Sequence, residues 1–408
     1  MAPTDSMDVE LPVNTLKKIK ADDDPESEGA FMRLSLLRFR MTSNKATSAM
    51  KLKDWAEFLT IVERFNAVAA YEVTCKETST SVDSVLLNKM KAVNEARLKE
   101  IDEAIKDALE NEGDLEVRDA TIAKAQILAR TADKATAISG YEEAEQLPKT
   151  TSGQKLDCRF NLMRIGMFWA DIPMVEKHVK VCKEVVDQGG DWERRNRLKV
   201  YEATYLLSIR DFKNASVLLL ESISTFTATE LYSYPQFVFY TVVSASIALD
   251  RKTIREKVIN APEILQVVDD APALEKMMTS LYKCCYKDFF AALVDVVEQL
   301  HLDPALAPHA RYFLRQSRVV AYTQYLESYY TVELTSMAAT FGVGVPFLDG
   351  ELSELVACGR LSCKIDKVKG VVCSNRPDNK NALYQKTIKQ GDALLNRIQK
   401  LSRVITIY

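Results

Sequence analysis

The stretch TSMAATFGVGVPFLDGELSELVACG, residues 335–359, holds two short apolar-periodic segments separated by Gly342, Gly344 and Pro346. Two short helices hinged by such a turn form a helix-turn-helix, a unit that often lays its second helix in the DNA major groove. Advancing residues 346–357 by about 100° per residue puts Phe347, Leu348, Leu352 and Leu355 in one core-facing sector. Asp349, Gly350, Ser353, Glu354 and Ala357 fall on the outward side. Lys and Arg supply most of the affinity for nucleic-acid phosphates, and none stands on that face. The expectation is an assembly module and not a nucleic-acid reader.

Downstream, GRLSCKIDKVKGVVCSNRPD (359–378) changes period from helical to two. Leu361, Cys363 and Ile365 alternate with Ser362, Lys364 and Asp366, Lys369-Gly370 turns the chain, and Val371, Val372 and Cys373 return it. Helix, turn, helix and hairpin predict a winged helix over 331–378. Beyond it, YQKTIKQGDALLNRIQKLSRVITIY (384–408) carries Leu394, Ile398, Leu401 and Ile405 at steps of 4, 3 and 4, a heptad stripe flanked by Lys and Arg. A terminal helix of this length is marginal alone in water, so 379–408 is expected to pack on other chains or on the body of its own.

Upstream the chain reads as helices. LEKMMTSLYKCCYKDFFAALVDVVEQL (274–300) and a later helix with Val319, Tyr322, Leu326 and Tyr329 flank the loop HLDPALAPH (301–309). Further back a repeat emerges. Breaks at TADKA (131–135), WADIP (169–173), IRDFK (209–213) and ALDRK (248–252) place Asp133, Asp171, Asp211 and Asp250 at separations of 38, 40 and 39 residues. Val175, Val179, Cys182 and Val186 follow the second break at helical spacing, and Ala215, Leu219, Ser222 and Phe226 follow the third. A helix–turn–helix unit of about 39 residues cannot bury its apolar face alone, so residues 115–260 are expected to stack as a solenoid of TPR-like helical pairs. Residues 31–114 read as N-terminal helices, including one with Leu98, Ile101, Ile105 and Leu109 as its apolar stripe. Residues 1–30, with the acidic run ADDDPESEG (21–29), are expected to be a solvated tail.

Composition agrees with a mostly α fold: 13 glycines in 408 residues and 47% hydrophobic residues. A net charge of −3 gives no global pull toward nucleic acid or membrane. The apolar run VFYTVVSASIAL (238–249) is shorter than the roughly 18 residues of a membrane span, and the first 20 residues lack the apolar core of a signal peptide, so an intracellular protein is expected. The eight cysteines form no CxxC, and reduced, apolar use is expected, although Cys358, Cys363 and Cys373 could in principle offer three ligands.

Nothing in the chain assembles catalytic, cofactor or metal chemistry. His178 sits at helical spacing from Met174, Val181 and Val185, as a packed histidine would. His301 and His309 lie eight residues apart without an HxxxH pair. FGVGVP (341–346) lacks the GK[ST] of a phosphate loop. The basic run WERRNRLK (192–199) reads as a salt-bridged helix start, with contact of Arg194, Arg195 and Arg197 with an acidic partner as the alternative.

Helical repeats that run into a winged helix and end in a long helix resemble the PCI-domain family. That module is shared by subunits of the proteasome lid, the signalosome and a translation initiation factor complex. The residues that carry the resemblance to lid subunits are GGDWERRNRLKVYEATYLLSIRDFK (189–213), STFTATELYSY (224–234), REKVINAPEIL (255–265), FGVGVPFLDGELSELVACGRLSCKIDKV (341–368), NRPDNKN (375–381) and GDALLNRIQKLSRVI (391–405). Similarity runs from about residue 150 to 405 and is weaker over the first 115. The resemblance implies a non-catalytic scaffold with no cofactor, in cytoplasm and nucleus. It makes residues 261–330 the helical part of the PCI domain. It implies a hetero-oligomer with other PCI subunits of the lid and its metalloprotease pair, leaving contact with the ATPase ring open, and neither nucleic acid nor membrane as partner. Leu361, Cys363 and Ile365 would sit at a strand-to-strand contact, and Leu394, Ile398, Leu401 and Ile405 would enter a helix bundle. A signalosome subunit is the alternative, with a nucleic-acid-binding winged helix a more distant one.

Overall fold

The computed structural model describes residues 25–111, 113–131, 134–148, 150–187, 189, 191–268, 271–375 and 379–405. The expected acidic tail lies outside these up to residue 24, and the chain is already helical from Pro25. Asp133, first of the four break aspartates, also lies outside them. Among the described residues no helix is long and apolar enough to cross a membrane.

The chain divides into two compact units. One comprises the described residues up to Tyr282 together with Ala292–Leu314, and the other Lys283–Ala291 with Arg315 onward. The first unit opens with α1 (Pro25–Thr42), α2 (Ser48–Phe65), α3 (Val68–Thr78) and α4 (Ser84–Asn111). On α4 the buried positions are Met90, Asn94, Ile101 and Ala108, and Leu109 is exposed, so the buried stripe is rotated from the expected one. Small Ala108 takes the inward place because α5 (Asp114–Thr131) packs closely there.

From α5 the chain proceeds in pairs: α5 with α6 (Lys134–Gln146), α7 (Ser152–Phe168) with α8 (Ile172–Asp187), and α9 (Trp192–Ser208) with α10 (Phe212–Ser222). Each helix packs on the next in series. The break aspartates have a shared physical role. Asp171 and Asp211 each accept the backbone N–H three residues on, Met174 and Asn214, at 3.2 Å, and so cap the second helix of the pair. The residue before each aspartate is left-handed: Ala170 at φ 54° and Arg210 at φ 70°. The Asp171 N–H bonds the Gly166 carbonyl at 2.8 Å and the Asp211 N–H bonds the Leu206 carbonyl at 2.9 Å, closing the first helix in the same way 40 residues apart. Asp250 starts its helix without a side-chain cap bond. Val175, Val179, Cys182, Val186, Ala215, Leu219 and Ser222 are all buried, as the spacing predicts, but Phe226 lies past the end of α10 and is half buried, since the helix stops at Ser222.

The unit continues through α11 (Tyr234–Ala248), the short α12 (Arg251–Ile254), a π turn (Arg255–Ile259), α13 (Pro262–Val268) and α14 (Pro272–Lys283). Cys284, left-handed at φ 63°, ends α14, so the 274–300 pattern is two helices, the second being α15 (Tyr286–Leu300). Next come α16 (Ala310–Ser328), strand β1 (Thr331–Glu333), α17 (Leu334–Phe341), α18 (Val345–Ala357), β2 (Cys363–Asp366), β3 (Val371–Ser374) and α19 (Asn379–Ile405).

In the second unit Phe341 is the centre of an aromatic cluster. Tyr286 stacks on it at 4.7 Å, with Tyr322, Phe290 and Tyr325 at 4.9, 5.3 and 5.4 Å. Burying a Phe ring contributes about 2–3 kcal/mol, so this cluster fixes α17 on α15 and α16. The antiparallel sheet has the order β1-β3-β2, with Ile365 opposite Val372 and Val332 opposite Val372 on the other side. β1 adds a third strand to the expected hairpin.

Candidate assembly surfaces

The helix that opened the question shows why its face is acidic. Asp349 pairs with Lys367 of the hairpin at 3.1 Å, and Glu354 with Arg315 of α16 at 2.9 Å. Glu351 faces Arg318 at 2.8 Å and accepts the Tyr322 hydroxyl at 2.7 Å. The acids of α18 thus tie it to the two elements beside it, and the cations there are matched by carboxylates instead of standing ready for phosphates. Leu348, Leu352 and Leu355 are buried as expected, but Phe347 is half exposed, corrected from the core sector. It lies at the rim because it stands at the edge of the wheel's apolar sector, and Arg318 caps its ring, 5.9 Å from the centroid.

Leu361 and Cys363 are buried and Ile365 is half buried. Alternation turns Leu361 and Cys363 into the core of their own unit and leaves Ile365 at its margin, so a strand-to-strand contact here would use the main chain of β2 more than these side chains. What β2 leaves open is its outer edge, since the sheet order pairs it on one side only. Val368, at the tip between β2 and β3, is almost wholly exposed.

The 27-residue α19 is the clearest unpartnered surface. Leu394, Ile398, Leu401 and Ile405 are 51–66% exposed, and Leu383, Tyr384, Ile388, Leu395 and Val404 are exposed with them. On a helical wheel Leu383, Tyr384, Ile388, Leu394, Leu395, Ile398, Leu401 and Ile405 share a sector of about 140°, flanked on one side by Lys386, Arg397, Lys400 and Val404, with Lys389 on the far side. Among the described residues of its own unit, nothing covers this stripe.

The basic run on α9 is spent internally. Arg194 makes a fork to Asp157 at 2.7 and 3.1 Å. Arg197 reaches Glu230 at 2.7 and 3.0 Å, with the Tyr201 hydroxyl donating to the same oxygen at 3.2 Å and the Phe160 ring beneath the guanidinium. Desolvation pulls Arg197 down, but Glu230 outweighs it and holds the guanidinium firmly protonated. Arg195 alone of the three is exposed.

The remaining reactive groups are structural. His178 is buried, and its Nδ1 accepts from Arg159 at 2.9 Å; burial first, then the Arg159 charge, lower its pKa to about 4. His309 donates to the Ser208 carbonyl at 2.8 Å. Burial pushes the Cys158 and Cys182 thiols up to about 11 and about 12. Cys358 is exposed, Cys363 buried and Cys373 half buried, and among the described residues no three His, Cys, Asp or Glu side chains are grouped to hold a metal. A cavity of about 350 Å³ beside α1, α9 and α11 is lined by Met32, Thr204, Tyr232 and Gln236 among others, with no described histidine, cysteine or carboxylate in its wall.

A series of helical pairs, a winged helix with a free sheet edge and a bare amphipathic C-terminal helix define a PCI-type scaffold protein. The PCI domain model matches residues 293–376, the model described as 26S proteasome subunit RPN7 matches 83–257, and the model of the RPN7/PSMD6 C-terminal helix matches 384–405. The 26S proteasome non-ATPase regulatory subunit 6 homolog of Arabidopsis thaliana is 46% identical over 370 residues, 90% of this chain and 95% of the relative. Its counterpart in Oryza sativa is 47% identical over 353 residues, 86% and 90% of the two chains. The regulatory subunit RPN7 of Saccharomyces cerevisiae is 38% identical over 332 residues, 80% and 77%. The chain belongs to the RPN7/PSMD6 family of 26S proteasome regulatory subunits.

Proposed function

We propose that this chain is a non-catalytic scaffold subunit of the 26S proteasome regulatory lid, supporting ubiquitin-dependent degradation through assembly contacts. The observation that carries this is α19. Its apolar stripe is exposed, with no partner among the described residues of its own unit, and it is the same helix that the RPN7/PSMD6 C-terminal model matches at 384–405. An exposed heptad stripe of this length gains most by joining other helices. The chain therefore contributes α19 to a bundle with other lid subunits. The outer edge of β2 adds main-chain pairing to a neighbouring PCI winged helix, with Ile365 at its margin. The subunit acts in cytoplasm and nucleus within a hetero-oligomer that positions the lid metalloprotease pair. It performs no chemistry itself and needs no cofactor.

Affinity capture of the tagged full chain tests this. Lid PCI subunits and proteasome ATPases are the expected companions. Recovery of signalosome chains without proteasome ATPases would overturn the assignment, and cleavage of ubiquitin conjugates by the purified chain alone would overturn its non-catalytic part.

A further inference from the structure

One pair of arginines is positioned but not spent. Arg251 of α12 donates from Nη2 to the Tyr282 carbonyl at 2.6 Å, and its guanidinium carbon lies 5.1 Å from the centroid of the Tyr282 ring. Arg255, one turn on, places its guanidinium carbon 5.8 Å from the same ring. Both arginines are exposed, and among the described residues neither has a carboxylate within 4.0 Å. Arg33, Arg159, Arg194 and Arg315 each hold an acid at 2.7–2.9 Å, whereas Arg210 stands alone on the Tyr312 ring at 4.9 Å. Only at Tyr282 do two guanidinium groups share one ring among the described residues. Two like charges on one ring repel, and stacking on the half-buried Tyr282 ring returns only about 1 kcal/mol. An oxyanion received by both forks would relieve that repulsion.

The backbone supports the placement. Arg255 opens a π turn closed by the Asn260 N–H on the Arg255 carbonyl at 3.0 Å, while Ile254 and Val258 anchor it from beneath. Such wide turns recur at functional sites. Lys252 and Lys257 are exposed on the same stretch. Asp250, Glu256 and Glu275 are exposed around it and would repel a continuous polyanion, which disfavours nucleic acid and suits a short acidic peptide.

We propose that Arg251, Arg255 and the Tyr282 ring form a receptor for an acidic segment of a partner protein, with a carboxylate taken between the two guanidinium groups. The site is distinct from α19 and β2, so its failure leaves the scaffold assignment untouched.

The test is fluorescence anisotropy of a labelled Gly-Ser peptide carrying a single central glutamate, with the full chain in about 50 mM NaCl, where charge contacts are weakly screened. Saturable binding is expected, weakened about tenfold or more in R251A/R255A. R251K/R255K keeps the charge but loses the fork and should fall between wild type and the alanine pair. R195A, which removes the exposed arginine of α9, should bind like wild type. Circular dichroism confirms that each variant is folded, as expected for exposed side chains. Absence of binding by wild type, undiminished binding by R251A/R255A, or an equal loss in R195A would overturn the proposal. The same peptide with phosphoserine in place of the glutamate, if it binds about tenfold more tightly, would overturn the carboxylate assignment.

Discussion

Replacing Arg197 by Met exposes how the solenoid uses buried charge. Glu230 is 4% exposed, so without Arg197 its carboxylate keeps the Tyr201 hydroxyl as a donor but cannot regain water. Arg197 is 19% exposed and lies over Phe160, so it can partly hydrate when Glu230 is neutralised. Breaking a buried pair costs roughly 3–5 kcal/mol, and the surviving tyrosine bond places R197M near the low end, about 3 kcal/mol. E230Q should cost less, about 1–2 kcal/mol, because the stranded group is the better hydrated one. R197M/E230M removes both charges and should cost at least about 2 kcal/mol less than the sum of the singles. Urea unfolding followed by Trp169 and Trp192 fluorescence reads the solenoid directly. An E230Q variant less stable than R197M, or a double variant equal to the sum, would refute the asymmetry.

Two further outcomes follow from the repeats. Burial and the Arg159 charge lower the His178 pKa to about 4 in the folded chain from the ordinary 6.5, so the unfolded chain binds more protons in that window. Stability from this residue is full above pH 6.5 and is lost as pH falls toward 4. By pH 5 the loss is about 2 kcal/mol, and H178F should show a correspondingly shallower decline in urea midpoint between pH 7 and 5. A170G should raise stability by about 0.5 kcal/mol, because the left-handed backbone costs alanine more than glycine's extra unfolded entropy. R210G should gain less, since it forfeits the stacking of Arg210 on Tyr312 at 4.9 Å, and urea melts of the two variants compare them.

What could be read from the chain was local. The aspartates at 171 and 211 stand in the sequence as caps, and the stripes that follow them are buried as spaced. The left-handed residues that close the preceding helices could not be read, because Ala170 and Arg210 carry no glycine signal and are held there by tertiary packing. β1 is three residues long, too short for an alternating pattern, and exists because β3 pairs with it. Phe347 stands at the edge of the wheel's apolar sector, about 80° or more from Leu348, Leu352 and Leu355, and the Arg318 guanidinium that lies over its ring comes from 29 residues earlier. The fates of Arg194 and Arg197 were equally hidden, for their acids lie 37 and 33 residues away. The Arg251–Arg255–Tyr282 cluster was invisible for the same reason. By contrast α19 was legible in full, since a heptad stripe is a property of neighbours in sequence and needs no tertiary context.

The most direct measurement is incorporation of a chain ended before Gly391 into proteasomes, read by co-sedimentation. Leu394, Ile398, Leu401 and Ile405 leave with the deleted part, and being solvent-exposed they take little of the chain's own stability with them. The shortened chain should keep its helical spectrum and its urea midpoint, yet stay out of the assembled particle. Normal incorporation of that folded chain would contradict the assignment of α19 as the element that joins this subunit to its neighbours.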